Sequence, residues 1–243
     1  MRQPPFDAEF SRTQQRLEQE PNPYEPEIGS LPETQYSKEE LQNVASTGTT
    51  TIGITTEEGV VIATDMRASL GGRFVSNKNV QKVEQIHPTA ALTLVGSVGG
   101  AQSFISSLRA EANLFETRRD QPMTMTALAN LAGNFARGGP FFAINPILGG
   151  VDDEGGHVFS IDPAGGVMED DYTVTGSGMQ LAYGTLEQEY EDDLSLEEAR
   201  TVAAHGIKSA VERDTGSGNG IFLAEVTEEG VEIEGHHEFE ELL

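Results

Sequence analysis

The stretch Gly48-Thr49-Thr50-Thr51-Ile52-Gly53 offers the most distinctive chemistry in this sequence. A threonine hydroxyl is a weak nucleophile until a base stands beside it. A chain cut before Thr49 would supply that base itself. The new α-amine, with a reference pKa of about 7.7 to 8.0, sits on the same residue as the hydroxyl. Three threonines at a strand start are also ordinary, because β-branched side chains suit a pleated sheet. Position favours the chemical reading: the triplet stands where a proline-rich leader meets the first regular hydrophobic pattern.

Competing chemistries are poorly represented. With no cysteine in 243 residues, disulfides, thiolate metal sites and a cysteine nucleophile are excluded, and the composition fits a reducing compartment. No G-x-S-x-G elbow, phosphate-binding loop or H-E-x-x-H run occurs. The run from Val151 to Gly156 lacks the alternating oxygen ligands of a calcium loop, and His236-His237 reads as solvated surface. No metal and no cofactor is expected.

Asp and Glu number 40 against 15 Lys and Arg, a net charge of −25. Such a surface argues against nucleic acid and anionic membranes as partners. Only four lysines occur (Lys38, Lys78, Lys82, Lys208), and the acidic residues are spread along the chain instead of forming one tail. Self-repulsion at this density is screened by salt, so the composition reads as adaptation to a concentrated-salt, halophilic cytoplasm. Met1-Arg2 leads into polar residues with no apolar signal core, and no run approaches the roughly 18 apolar residues of a membrane span. The expected location is cytoplasmic.

Positioning these residues falls to two unequal regions. Residues 1–48 hold six of the eleven prolines and few large aliphatics, a composition that does not offset its ordering entropy. They read as a disordered leader with at most a short helix near 38–44. From Thr49 on, periodicity predicts strands at 50–56 and 60–66, mixed strand at 74–85, and a buried strand at 91–97. Helices follow over 101–119 and 124–137, then strands at 141–149, 157–162 and 167–174. A third helix spans 179–190. A fourth starts at the capping box Ser195/Glu198, with Leu194 as staple, and runs to Arg213. A hairpin of 220–226 and 231–234 closes the chain. Blocks of strands alternating with helix pairs predict an α+β fold of antiparallel sheets covered by helices.

Several motifs are similar to those of one family. Gly-Thr-Thr-Thr-Ile-Gly at 48–53 resembles the processing junction of proteasome β subunits, members of the N-terminal-nucleophile hydrolases. The likeness continues, in family order, through Ala-Thr-Asp-Met-Arg-Ala (63–68), Gln-Lys-Val (81–83), Leu-Val-Gly-Ser (94–97) and Gly-Gly-Val-Asp (149–152). It then reaches Thr-Gly-Ser-Gly (175–178) and Glu-Arg-Asp-Thr-Gly-Ser-Gly (212–218), and covers all of 49–243. The acidic composition points to a haloarchaeal member.

The resemblance implies a four-layer αββα sandwich at 49–243 and a propeptide, 1–48, removed by self-cleavage between Gly48 and Thr49. It implies Thr49 as nucleophile, Asp65 and Lys82 as paired charges beside it, and Gly96 N–H as oxyanion donor. Ser177, Asp214 and Ser217 would hold the new N-terminus. Alone, Gly96 would be a glycine closing a strand, and 175–178 and 214–218 would be turns at helix ends. The 67–82 segment is one residue longer than the family pattern, with Gly71-Gly72-Arg73 absorbing the insertion, so Lys82 is matched in preference to Lys78. Ala68, Leu94 and Val98 fall at the primary specificity pocket, and their small or apolar character implies cleavage after hydrophobic residues. Implied partners are two stacked seven-membered β rings, flanking α-subunit rings, and a regulatory ATPase ring feeding unfolded protein. A non-catalytic structural subunit of the same particle is the rival reading; a bacterial-type two-ring peptidase and an acidic binding module are further ones.

Overall fold

The computed structural model describes residues 48–70, 73–96, 98–138 and 144–243. Its centre is β2 (Gly59–Asp65), buried along its whole length. Both faces of this strand are covered, which explains a run of seven residues with no polar alternation. Val61 and Ala63 meet a helical layer, while Val60 and Ile62 meet a second sheet. To its sides lie β1 (Thr50–Thr56) and β11 (Ile221–Thr227), with β10 (Tyr172–Gly176) and β12 (Gly230–His236) at the edges. Every pairing in this five-stranded sheet is antiparallel.

The second sheet has the order β5 (Val83–His87), β6 (Ala90–Thr93), β7 (Ile147–Asp152), β8 (Gly155–Ile161), β9 (Val167–Glu169), again antiparallel. Between the sheets, Val60, Ile62, Ala224 and Val226 pack on Val83, Ala91, Ile147, Val151 and Val158. Gly53 permits this approach. A Cβ there would lie 2.9 Å from both Ile147 Cγ2 and Val158 Cγ1.

Helices close both outer faces. Leu92, Leu148, Phe159 and Ile161 pack against Phe104, Ile105 and Leu108 of α1 (Val98–Arg119) and Met125 and Leu128 of α2 (Met125–Gly138). Ile52, Ile54 and Leu223 pack against Ala182 and Leu186 of α3 (Met179–Glu189) and Val202, Ala203 and Ile207 of α4 (Leu196–Val211). Each fully buried aliphatic contributes about 1.5–3 kcal/mol. The result is the expected four-layer αββα sandwich. The Ser195/Glu198 capping box is present in full at the start of α4.

The elements differ from expectation in four places. The single strand expected at 167–174 is two strands in different sheets, β9 and β10, separated by the exposed Asp170-Asp171 pair. Two adjacent carboxylates stay in water, and the chain changes sheet there. The mixed strand expected at 74–85 splits into β4 (Phe74–Asn77), which pairs with β3 (Ala68–Leu70), and β5. The strand expected at 91–97 ends at Thr93, before Gly96 turns to a φ of +100°. Among the described residues of the strand expected at 141–149, the regular ladder begins at Ile147, after Pro146, which has no N–H for it. Residues 141–143, Gly71-Gly72 and the helix expected near 38–44 lie outside the described residues.

Candidate active site

Thr49 immediately precedes β1 and is 1% exposed. Asp65 ends β2, the neighbouring strand, so the antiparallel pairing of Thr51 with Thr64 brings both residues to one end of the sheet. Lys82 arrives from the segment before β5 and reaches between them. Its Nζ lies 2.6 Å from Thr49 Oγ1 and 2.6 Å from Asp65 Oδ1, and the threonine hydroxyl lies 2.9 Å from the same Oδ1. Lys78, the alternative in the sequence, is exposed.

Asp65 is fully buried and its carboxylate is held on both sides. Oδ1 accepts the Thr50 N–H at 3.0 Å; Oδ2 accepts those of Arg67 at 2.9 Å and Gly218 at 2.8 Å. A buried anion needs such donors as well as a cation. Burial pushes the Lys82 ammonium below its ordinary range, and the charge and hydrogen bond of Asp65 oppose that push without cancelling it. The lysine is therefore closer to releasing its proton than one in water.

A second network meets the Thr49 backbone. Its N–H donates to Ser177 Oγ at 3.1 Å, and Ser177 Oγ donates to Asp214 Oδ2 at 2.6 Å. Ser217 Oγ donates to the same Oδ2 at 2.6 Å, so the Thr50 hydroxyl, 2.7 Å away, must donate to Ser217. Two hydroxyl chains thus converge on one carboxylate oxygen. Ser177 follows β10, and Asp214 and Ser217 lie in the loop between α4 and β11.

Gly96, in the left-handed region, bridges to Ile144 and lines a small cavity beside the lysine. The cavity walls are Arg67, Ala68, Val80, Lys82, Leu94, Gly96 and Ala101. Two of the three expected pocket residues, Ala68 and Leu94, are therefore here. Val98 opens α1, and its side chain lies outside the described residues.

Sequence reasoning missed several contributors. Arg67 donates through Nε to Asn219 Oδ1 at 3.0 Å and through Nη1 to Thr215 O at 3.2 Å, bracing the loop that carries Asp214 and Ser217. Asn219 itself sits at a φ of +71°, in the left-handed region. Val80 and Ala101 were also missed as cavity walls. The signal for Arg67 was present in Ala-Thr-Asp-Met-Arg-Ala, two residues beyond the buried aspartate. Val80 lies in the segment between β4 and β5 and Ala101 on α1, and neither gave a signal.

Comparison with known proteins agrees with this architecture. The family model described as proteasome subunit matches residues 45–226. A proteasome subunit beta of Natrialba magadii is 75% identical over 243 residues, covering both chains completely. Proteasome subunit beta 1 of Haloterrigena turkmenica is 76% identical, and a proteasome subunit beta of Natronomonas pharaonis 73%, each over the full length of both chains. With a family match over most of its length and full-length relatives at such identity, the chain belongs to the proteasome subunit family.

Proposed function

We propose that the chain is the precursor of a threonine endopeptidase, the catalytic β subunit of a proteasome core particle, with residues 1–48 as a propeptide removed between Gly48 and Thr49. The observation that carries this reading is the Thr49–Lys82–Asp65 cluster: a buried hydroxyl 2.6 Å from a lysine whose proton is loosened by burial. A structural subunit has no need of a buried ion pair aimed at a hydroxyl, since such a pair is a costly way to fill a core.

In the precursor, the Thr49 nitrogen is an amide and carries no basic lone pair. Lys82 in its neutral form accepts the hydroxyl proton, and Oγ1 attacks the Gly48 carbonyl carbon. The C–N bond breaks, the nitrogen takes a proton, and water hydrolyses the resulting ester. Thereafter the free α-amine, held by Ser177 against Asp214 and Ser217, shares the base role. A peptide substrate then passes through the same sequence of ester formation and hydrolysis. Gly96 N–H stabilises the oxyanion, a kind of interaction worth about 3–4 kcal/mol. The cavity of Ala68, Leu94, Val80 and Ala101 receives the residue before the scissile bond and favours hydrophobic ones.

The family context supports assembly as paired seven-membered β rings between α-subunit rings, fed with unfolded protein by an ATPase ring in a salt-rich cytoplasm. No metal or cofactor takes part in this chemistry. Among the described residues, no helix is long and apolar enough to cross a membrane.

The test is Thr49→Ala, read by intact mass and by peptide hydrolysis. The variant should fold, keep residues 1–48 and hydrolyse no peptide. A Thr49→Ala chain that hydrolyses peptides normally would remove Thr49 as the nucleophile. A wild-type chain that keeps residues 1–48 and hydrolyses no peptide would favour the structural reading.

A further inference from the structure

The residue before the proposed cleavage site does not sit like the residue before a scissile bond in a pocket. Gly48 is buried, and its N–H donates to Ser69 Oγ at 3.3 Å. Its Cα packs directly on the backbone of Gly216. A Cβ built on Gly48 would fall 2.3 Å from Gly216 Cα and 3.1 Å from Ser69 Oγ, and a Cβ built on Gly216 would fall 2.5 Å from Gly48 Cα. No side chain fits at either position without moving backbone. Ser69 is 1% exposed and belongs to β3, one residue after Ala68. It is not among the walls of the cavity beside Gly96.

From this we infer that self-cleavage and peptide cleavage present their acyl residues to different surfaces: Ser69 and Gly216 form a glycine-only slot that positions the junction for self-cleavage alone. The inference rests on the reading of Gly48-Thr49 as the self-cleavage site and adds how that bond is held. Ser69 is a positioning residue here. It fixes the Gly48 peptide unit, while Gly216 excludes any residue but glycine, so the Gly48 carbonyl keeps one orientation next to Thr49. Once Gly48 has left, the Ser69 hydroxyl has lost the group it accepted from. Peptide substrates, bound through a side chain in the cavity, do not need that hydroxyl.

The experiment uses the full chain assembled with its partner subunits. Cleavage at Gly48-Thr49 is followed by intact mass, and peptide hydrolysis is then expressed per chain beginning at Thr49. Ser69→Ala should slow self-cleavage about tenfold, as loss of one buried hydrogen bond implies. Hydrolysis per matured chain should stay at the wild-type rate, and Ser69→Thr, which keeps the hydroxyl, should restore self-cleavage. Gly48→Ala gives a second reading, because its matured chain is identical to the wild type. It too should slow self-cleavage. Self-cleavage of Ser69→Ala at the wild-type rate would overturn the inference alone, as would a fall in hydrolysis per matured chain equal to the fall in self-cleavage. A wild-type chain never cut at this bond would instead overturn the reading beneath it, and the inference with it.

Discussion

Lys82 Nζ and Thr49 Oγ1 lie 2.6 Å apart at the end of β2, in a site with almost no solvent on either residue. Water would screen such a contact to little value, but here the low dielectric strengthens it and also penalises the lysine charge. The two effects have opposite consequences. Stronger pairing with Asp65 keeps the ammonium, while desolvation favours the neutral amine, and desolvation is the larger.

The first prediction follows from that balance. Self-cleavage of the assembled precursor should accelerate as pH rises and level off below 10.5, the ordinary lysine value, because burial lowers the Lys82 pKa. Lys82→Ala should cut the rate by orders of magnitude with ring assembly unchanged on a sizing column. Lys82→Arg keeps a charge but gives a planar group that does not deprotonate, so it should restore little activity. A Lys82→Ala chain that cleaves at close to the wild-type rate would remove the lysine from the mechanism.

Asp65 gives a prediction about both stability and rate. Its two oxygens accept from Lys82, Thr49, Thr50, Arg67 and Gly218, and it donates to none of them. In Asp65→Asn one oxygen becomes an NH2 that must face donors, and Lys82 is left buried without its counter-charge. Breaking a buried pair costs about 3–5 kcal/mol. Thermal unfolding should therefore fall by roughly 10 °C, and self-cleavage should be lost. An unchanged melting temperature would show that the network rearranges around the amide.

The cavity beside Gly96 predicts specificity. Ala68 and Ala101 are its small walls. Ala101→Val should narrow the cavity and shift cleavage from large apolar residues toward smaller ones. The change should appear as a reordering of kcat/KM among peptides that differ only before the scissile bond. A loss equal for all peptides would mean that Ala101 supports the fold and does not select the residue.

The parts of this architecture that were legible in sequence share one property: their residues depend on local pattern. β1, β2 and the Ser195/Glu198 cap could be read because alternation, run length and capping chemistry act within a few residues. Asp170-Asp171 misled because a strand pattern does not reveal which sheet each half joins. The site itself was legible only through the order of its motifs. Nothing in the local sequence says that Ser177 and Ser217, 40 residues apart, share one oxygen of Asp214. Ser69 acts through the backbone N–H of Gly48, which has no sequence signature. The motif that contains Arg67 does not show that its guanidinium reaches Thr215 O and Asn219 Oδ1, 148 and 152 residues on.

Net charge supplies a prediction about assembly. At −25 per full-length chain, copies brought together in the proposed ring repel one another unless salt screens them. Rings formed in molar salt should dissociate on dilution into dilute buffer, and light scattering across a salt series should show a sharp fall in mass. Rings that persist unchanged at low salt would show that local pairing, not screening, governs the interfaces.

The last prediction concerns a pH-dependent contact remote in sequence from Thr49. His157 on β8 lies between two carboxylates, its Nδ1 2.6 Å from Glu169 Oε1 and its Nε2 3.1 Å from Asp152 Oδ1. Burial disfavours the imidazolium, but the hydrogen bond to Glu169 and the Asp152 charge outweigh it and hold the pKa above 6.5. Asp152 moves the other way. Burial disfavours its charge, yet the backbone N–H groups of Met125 and Glu154, together with His157, bring it below 3.8. Its Oδ2 accepts the Met125 N–H at 2.7 Å, so the histidine orients the carboxylate that caps α2. A raised histidine pKa adds stability that is complete below its unfolded value and disappears as pH rises through the folded one. The Asp152 contribution is present above 3.8 and is lost as pH falls through its depressed value. Both contributions coexist only between these limits. His157→Gln should therefore lower the melting temperature by about 2–4 °C near pH 5, as a loss of about 1 kcal/mol implies for a domain of this size. The difference from wild type should shrink well above pH 6.5, where the wild-type imidazole is neutral too. A gap that stays constant across the whole range would mean that His157 stabilises α2 by packing on Phe159, whose ring lies 6.0 Å away, and not by its charge.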